Sequence, residues 1–430
     1  MPMASQSKDV LMSSVESNLA TTPLSFKFMS SFIVLTILAG LGMGVFRVLT
    51  SLYGVELQAS PLQLGLISSA QSIGVLLMAL PIGVLVKRLG SLKVFSIGSI
   101  AGAILFVLAS LFHNPWALVL ITALVSFVMP MRFVSINTVF LTHLRRLGAA
   151  KAGWFRGSHM MGFFLIGPSL ALFFVSLFGY QKSFWCVAAL FIFAMLFAPI
   201  CFEKKSQIER DAQPKFRFKE ILEPLRLIKS HQPLRTVCLL EILSSIATNT
   251  FGFFIVVIAI QNFAFAEHSA VLLLTVQGIV FVGSLFGLGS FAEWLGYQKF
   301  YLIGLTLISG ALFALALLKQ AWGLWPASAL LGLGLGVLHI ANFMSFAKVG
   351  EETEMTKVSP ILALVGPLGG LLGGFIGMVC GSSFGLQWLF LPTAIAFTCM
   401  TFYIYFSQRF LAFIQNDQLN TTQQLEGQKS

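Results

Sequence analysis

Charged side chains are scarce in this chain of 430 residues. Only 10% of the residues are Asp, Glu, Lys or Arg, whereas hydrophobic residues make up 57%. A soluble globular protein carries about 25% charged residues, and so few charges cannot build a water-facing surface for a chain of this length. The scarcity of charge excludes a soluble protein and predicts an integral membrane protein, with the lipid bilayer as its first partner.

Metal-binding and catalytic motifs are missing as well. The five cysteines stand in apolar runs without a CxxC pair or zinc-site spacing, and neither an HExxH nor a Walker sequence occurs. The net charge of +11 is not accompanied by an aromatic and basic nucleic-acid module. We therefore expect no enzyme, no metal, no cofactor and no nucleic acid.

What the sequence does contain is a series of twelve apolar runs. A helix of about 20 apolar residues crosses the bilayer core, and glycine or proline within such a run is tolerated. Six runs precede a long polar segment and six follow it, at 28–52, 61–86, 92–112, 116–141, 153–177, 183–201, 236–260, 268–292, 299–318, 322–346, 359–383 and 386–408. We predict an all-α integral membrane protein whose twelve transmembrane helices form two pseudo-symmetric six-helix bundles.

The polar segments divide the chain and orient it. The predicted bundles are 28–201 and 236–408, with tails at 1–27 and 409–430 and a central loop at 202–235. Of the 27 Lys and Arg residues, 23 lie in the tails, the central loop and the other loops of the same side. The positive-inside rule therefore predicts an inner (plasma) membrane protein with both termini in the cytoplasm. The central loop forms either an amphipathic surface helix or a solvated linker.

Two segments of the sequence repeat along the chain. Residues 83–93 and 289–299 carry Gly, a charged residue, Gly and Lys in the same frame, 206 residues apart. The pairs Gly167–Pro168 and Gly366–Pro367 lie 199 residues apart, in the fifth and eleventh runs. Two halves with the same internal landmarks are typical of secondary transporters.

The first of these segments resembles the loop motif of the major facilitator superfamily, Gly-x-x-x-Asp-Arg/Lys-x-Gly. Gly83, Arg88 and Gly90 match the motif, whereas Lys87 stands where the family usually has Asp. The Gly-Pro pair of the fifth run resembles a motif of the family's antiporters. Over the whole chain, the resemblance implies two bundles around a central cavity that opens to each side in turn. We expect a monomer.

Polar residues within the runs are candidates for binding a small solute, because ionisable groups inside a membrane are rare and usually functional. Arg132 lies deep in the fourth run, where the family often has an Arg, and the 206-residue offset carries positions 132 and 137 next to His339 and Asn342. Arg47 lies near the outer end of its run, and its long side chain is expected to reach the lipid headgroups. The predicted substrate-binding residues are Arg132, Asn137, His159, Asn249, Gln277, His339 and Asn342.

Proton coupling needs titratable groups inside the membrane, and the runs contain few of them. Glu241 is the one acid well within a run. His159 is the second candidate, because imidazole changes its charge near neutral pH.

The charges of the repeated segments predict a cytoplasmic gate. Lys87 and Arg88 would pair with the acids ahead of the eleventh run when that side is closed, and Glu293 would face Arg156 in the other half. The predicted gating residues are Gly83, Lys87, Arg88, Gly90, Arg156, Glu293, Gly296, Glu351, Glu352 and Glu354. The residues predicted to allow close helix packing are Gly167, Pro168, Gly366, Pro367, Gly369 and Gly370.

These features predict a secondary active transporter of a small organic solute. The basic groups of the first half favour an anionic solute, and the antiporter-like Gly-Pro pair favours export against protons. Residues 132–162 faintly resemble exporters of carboxylate siderophores or drug-like compounds. A proton-linked importer is the alternative, and a transporter-fold sensor that signals through a partner is a third interpretation.

Overall fold

Long helices make up almost all of the described chain. The computed structural model describes residues 26–147, 157–202, 227–353, 355–407 and 410, so most of the central loop and both tails lie outside it. The α-helices are α1 Phe26–Glu56, α2 Pro61–Leu89, α3 Ser91–Ala109, α4 Pro115–Leu147, α5 Gly167–Cys201, α6 Gln232–Phe263, α7 Glu267–Gly287, α8 Gly289–Leu295, α9 Tyr297–Leu317, α10 Leu324–Thr353, α11 Met355–Ser383 and α12 Phe390–Phe406. A π-helix, Met161–Ile166, leads into α5.

One helical stretch is long enough to cross the membrane twice. Residues 157–201 form a stretch of 45 residues, which at about 1.5 Å per residue is more than twice the length needed to span a bilayer core of about 30 Å. The chain turns within it at Gly179, where φ is 73° and ψ is 173°, a conformation that glycine adopts readily. Eleven helices of the described residues are long and apolar enough to span a membrane. Because one of them is long enough for two crossings, the described helices are consistent with the predicted twelve.

The sequence repeat is also visible in the backbone. Gly90, between α2 and α3, has φ 86° and ψ 149°, and Gly296, between α8 and α9, has φ 84° and ψ 140°. A positive φ is open to glycine without the clash that a Cβ would cause. The same sharp turn therefore recurs 206 residues along the chain, at equivalent places in the two predicted bundles.

One segment that was predicted as a loop is largely helical, and another helix continues beyond its predicted end. Helix α10 continues to Thr353 and α11 begins at Met355, so helix occupies most of the segment between the predicted runs 322–346 and 359–383. Helix α4 likewise continues to Leu147. Apolarity marks only the part of a helix inside the bilayer core, and these helices extend beyond it into polar sequence.

Glycines bring α1 close to the π-helix segment. Gly40 and Gly44 lie four residues apart on α1, and a Cβ on either would collide with a main-chain oxygen of the facing helix. Gly162 and Gly167 face α1 from the other side but are five residues apart. The N–H of Gly167 donates to the Gly162 oxygen, the i to i+5 bond of a π-helix. The extra residue in this turn places both glycines on the face that contacts α1.

The two bundles contact each other between α2 and α11, between α7 and both the π-helix and α5, and between α1 and α6. We call the side on which α1 begins the basic face, because Lys87, Arg88 and Lys93 lie at the turn between α2 and α3 on that side, and we call the other side the opposite face. At the opposite face the Tyr180 hydroxyl donates to the carboxylate of Glu267, and the Ser51 hydroxyl donates to the Phe253 oxygen over 2.7 Å. The bundles are therefore in contact on that face.

Candidate functional site

Arg47 of α1 crosses the interface between the bundles. Its side chain is 7% exposed, and Nη2 donates to the main-chain oxygens of Thr248 over 2.7 Å and Asn249 over 3.1 Å in α6. The expectation that Arg47 reaches the lipid headgroups is therefore wrong. The guanidinium fits against α6 because residue 252 is glycine, where a Cβ would collide with it.

A narrow cavity of about 10 Å³ lies beside this guanidinium, with room for about one water molecule. The Nε atom of Arg47 has no hydrogen-bond partner among the described residues. Its guanidinium carbon lies 5.5 Å from the ring centroid of Phe163. The cavity is lined by Gly44, Arg47, Val48, Phe163, Phe164, Pro168, Gly252, Leu274 and Gln277. It thus combines one cation and one amide with aromatic and aliphatic walls, at a point where both bundles meet.

Arg132 of α4 lies among aromatic rings of its own bundle. Its side chain is 4% exposed, and its guanidinium carbon is 3.5 Å from the ring centroid of Phe191 and 5.3 Å from that of Phe95. None of its three guanidinium nitrogens has a hydrogen-bond partner within the described ranges. A cation–π contact is worth about 0.5–2 kcal/mol, which only partly offsets the burial of a charge.

Glu241 belongs to a polar network inside the second bundle. The Nδ2 of Asn342 in α10 donates to Oε2 of Glu241 over 3.0 Å. The buried hydroxyl of Tyr301 in α9 lies 3.2 Å from Oδ1 of Asn342 and 2.9 Å from the Ser345 hydroxyl. By donating to Oδ1, Tyr301 fixes the amide so that its N–H points to the carboxylate. The structure thus brings Asn342, a predicted substrate-binding residue, to the predicted proton-coupling acid.

Gln277 and Asn249 lie at the interface between the bundles. Gln277 is 2% exposed and lines the cavity beside Arg47. Asn249 donates from Nδ2 to the Ser245 oxygen over 2.8 Å, while its own main-chain oxygen accepts from Arg47. The two predicted residues are therefore placed around an arginine that was not itself predicted to bind substrate.

The two predicted histidines each lie against a phenylalanine of their own bundle. The ring centroid of His159 is 6.3 Å from that of Phe133, and the centroid of His339 is 5.9 Å from that of Phe281. Asn137 is half-buried in α4. A role of these residues in binding or proton transfer stays a prediction.

The predicted gate is described on one side only. Lys87 and Arg88 are exposed in the last turn of α2, where basic side chains are stabilised by the helix dipole. The pairing of these two residues with acids ahead of α11 stays a prediction. The gating side chains that lie outside the description are Arg156, Glu293, Glu351, Glu352 and Glu354.

Three of the predicted packing glycines lie at close helix contacts. A Cβ on Gly167 would approach Gly44 of α1, and one on Gly369 would meet the main chain of α6. A Cβ on Gly370 would collide with Ser72 of α2, across the interface. Gly366 has more room, and Pro168 lines the cavity beside Arg47.

The fold and the site together define a class of protein. Repeated helical bundles that meet at buried polar side chains are the architecture of secondary transporters. The sequence model of the Major Facilitator Superfamily matches residues 32–359, more than half of the 430 residues. The chain belongs to the Major Facilitator Superfamily.

Solved structures of other transporters share the fold. The nucleoside transporter NupG has a TM-score of 0.67 and 20% identity, covering 90% of this chain and 98% of that chain, and a point mutant of it has a TM-score of 0.69, 17% identity, and coverage of 90% and 99%. A bacterial homologue of the human lysosomal transporter Spinster, in an inward-facing and unoccupied conformation, has a TM-score of 0.68, 15% identity, and coverage of 91% and 99%.

Identities this low show a common fold and leave the solute open. A search of curated proteins finds no match. The family and the fold establish a multi-pass membrane protein that transports a small solute.

Proposed function

We propose that the protein exports a small organic anion across the inner membrane in exchange for protons, by alternating access between its two bundles. The observation that carries this proposal is the distribution of charge inside the membrane. Among the described residues, the first bundle holds buried cations that have no carboxylate partner, and the second holds a hydrogen-bonded carboxylate.

The first bundle cannot neutralise its own buried cations. Glu56 is the only Asp or Glu in residues 28–201, which contain ten Lys and Arg. The hydrogen bonds of Arg47 go to main-chain oxygens, and Arg132 has none to the described part of the chain. Because a buried charge is strongly penalised unless it is paired, an anionic solute is the counter-charge that this bundle lacks.

The second bundle holds the group best suited to carry a proton. Glu241 is half-buried in α6, and a carboxylate inside a membrane span is costly while it is charged. The amide N–H of Asn342 stabilises the ionised form, whereas protonation removes the charge from the membrane. Glu241 thus combines a titratable group inside a span with a hydrogen-bond partner from a neighbouring helix, which supports its role in proton coupling.

The Gly-Pro pair supports export rather than import. Gly167–Pro168 follows the π-helix and packs against α1 next to the cavity of Arg47. Its resemblance to the antiporter motif supports exchange, in which protons move inward and the solute moves outward. Compounds with several carboxylates, including iron-chelating siderophores, are the first solutes to test.

The experiment is a thermal-stability screen of the purified protein with carboxylates and their matched primary amides. A ligand that binds the folded state raises the melting temperature. We expect carboxylates to do so and their amides to fail, because only the carboxylate neutralises a guanidinium. Stabilisation by amides equal to that by carboxylates would contradict the proposed anionic solute.

A further inference from the structure

Arg47 differs from Arg132 in what surrounds its guanidinium. The Nη2 of Arg47 binds two main-chain oxygens of α6, while its Nε has no partner among the described residues. The group also lines a cavity together with the buried amide of Gln277. A guanidinium forms its strongest hydrogen bonds with a carboxylate, in a two-pronged geometry, so neutral carbonyls are partners that an anion can replace.

We propose that Arg47 forms the anion subsite of the transport cavity, and that an aromatic carboxylate binds it by displacing the carbonyls of α6. This inference rests on the proposed export of an organic anion and names the recognition residue and the class of solute. The carboxylate pairs with Arg47. The planar body of the solute lies between Phe163, Phe164 and Leu274, and Gln277 is placed to bind a polar substituent.

The size of the cavity couples binding to movement. A volume of about 10 Å³ admits about one water molecule, so an aromatic acid fits only when α1 moves away from α6. The hydrogen bonds from Arg47 to Thr248 and Asn249 hold these helices together, and the bond from Ser51 to Phe253 lies about one turn nearer the opposite face. A carboxylate that takes over Arg47 removes the first of these links and favours opening of the opposite face.

The test measures binding of benzoate and its neutral counterpart benzamide to the purified full-length protein. Benzoate binds the unsubstituted protein and benzamide does not. The Arg47→Gln variant keeps an N–H for the α6 oxygens but loses the charge, so its affinity for benzoate falls about tenfold or more. Arg47→Lys keeps the charge without the planar fork and loses less.

Ser51→Ala is the matched control. It removes a hydrogen bond between the same two helices without changing charge, so its benzoate affinity is retained or rises, because the lost bond opposes the separation of α1 from α6. If Ser51→Ala loses benzoate as Arg47→Gln does, the arginine acts through helix contact and the subsite is refuted. Equal benzoate affinity in Arg47→Gln and the unsubstituted protein refutes it as well.

A second measurement follows the opposite face directly. Ser51→Cys places a thiol at the buried contact between α1 and α6, and its labelling by an impermeant maleimide is read above the background of the native cysteines. Benzoate raises this labelling when residue 47 is Arg and leaves it unchanged in Arg47→Gln. An unchanged rate in both proteins refutes the coupling of binding to opening.

The two proposals fail in different ways. If benzoate does not bind but other carboxylates do, and their binding survives Arg47→Gln, the proposed anion export stands and the Arg47 subsite falls. If no carboxylate binds better than its amide, the proposed function itself fails.

Discussion

The two bundles share one fold but carry opposite charge. Residues 28–201 contain ten Lys and Arg and a single acid, whereas residues 236–408 contain four Lys and Arg and six acids. Inside the membrane the contrast is between Arg47 and Arg132 in the first bundle and Glu241 in the second. On our proposal the first bundle binds the anion and the second carries the proton.

The hydrogen bonding of these buried charges also differs between the two bundles. The guanidinium of Arg132 lies between the rings of Phe95 and Phe191, which leaves its hydrogen-bonding capacity unused within the described chain. The carboxylate of Glu241 accepts a hydrogen bond from Asn342, which Tyr301 holds in place. Among the described residues, the cation thus has no hydrogen-bond partner, while the acid has one.

Glu241→Gln gives the largest expected effect. Gln cannot release a proton, so solute-induced proton movement is abolished while solute exchange continues. In liposomes that contain the protein, an entrapped pH indicator measures the proton movement, and the solute flux is recorded alongside it. The control is Glu56→Gln, the same change at an exposed acid of the first bundle, which should keep proton coupling. Proton movement that survives Glu241→Gln would contradict the assignment of proton transfer to the second bundle.

Arg132→Ala is expected to abolish carboxylate uptake while the amount of protein in the membrane stays the same. Arg132→Lys keeps the charge, loses the planar stack on Phe191 and retains part of the activity. Uptake of a stabilising carboxylate, normalised to the membrane content, measures the effect. Normal transport by Arg132→Ala would show that Arg132 is not needed for carboxylate transport.

Gly40→Ala tests the packing of α1 on the π-helix segment. The added Cβ collides with the main-chain oxygen of His159, and overpacking costs about 1–3 kcal/mol. The melting temperature of the purified protein should fall. Gly310→Ala in α9 is the control, because its Cβ meets nothing within 4 Å; equal melting temperatures of the two variants would contradict the close contact.

Tyr301→Phe has a smaller effect, since it removes one hydroxyl and leaves Glu241 in place. The Asn342 amide loses the bond that orients it, and one hydrogen bond is worth about 0.5–1.5 kcal/mol. We expect the coupled transport rate to fall about two- to tenfold. Tyr405→Phe, at an exposed tyrosine of α12, should change nothing, and a similar loss in both variants would argue against the network.

The charge exchange at the predicted gate has the smallest expected effect. Lys87→Glu should increase cytoplasmic labelling of an introduced cysteine, and adding Glu352→Lys should restore part of the closed state. Each exposed pair is worth about 0.2–1 kcal/mol. If the second substitution does not reverse the first, the basic residues at the end of α2 and the acids ahead of α11 do not pair and are simply solvated.

The backbone was largely predictable because its causes are local. A bilayer requires about 20 apolar residues per crossing, so the runs alone gave the twelve spans. The repeated glycines at positions 90 and 296 marked two turns that need a positive φ. The π-helix was not predicted, since the requirement for an extra residue between Gly162 and Gly167 comes from the facing glycines of α1.

The direction of a buried side chain was harder to predict than its depth. Arg47 lies in the second half of α1, but a single helix does not reveal which neighbour it faces. Offsets of 199 to 206 carry position 47 to 246–253, and the structure shows that Thr248, Asn249 and Gly252 contact Arg47. Arg47 thus meets its own repeat equivalent, near the pseudo-two-fold axis between the halves.

The most direct test of the proposal that the first bundle binds the anion and the second carries the proton is the relative direction of solute and proton movement. Liposomes containing the protein and a pH indicator are given the carboxylate that most stabilises the protein, and solute and proton fluxes are recorded together. The account predicts that the carboxylate and protons move in opposite directions, and that a proton gradient alone drives the carboxylate against its own gradient. Movement of both in the same direction, or carboxylate flux without proton flux, would contradict it.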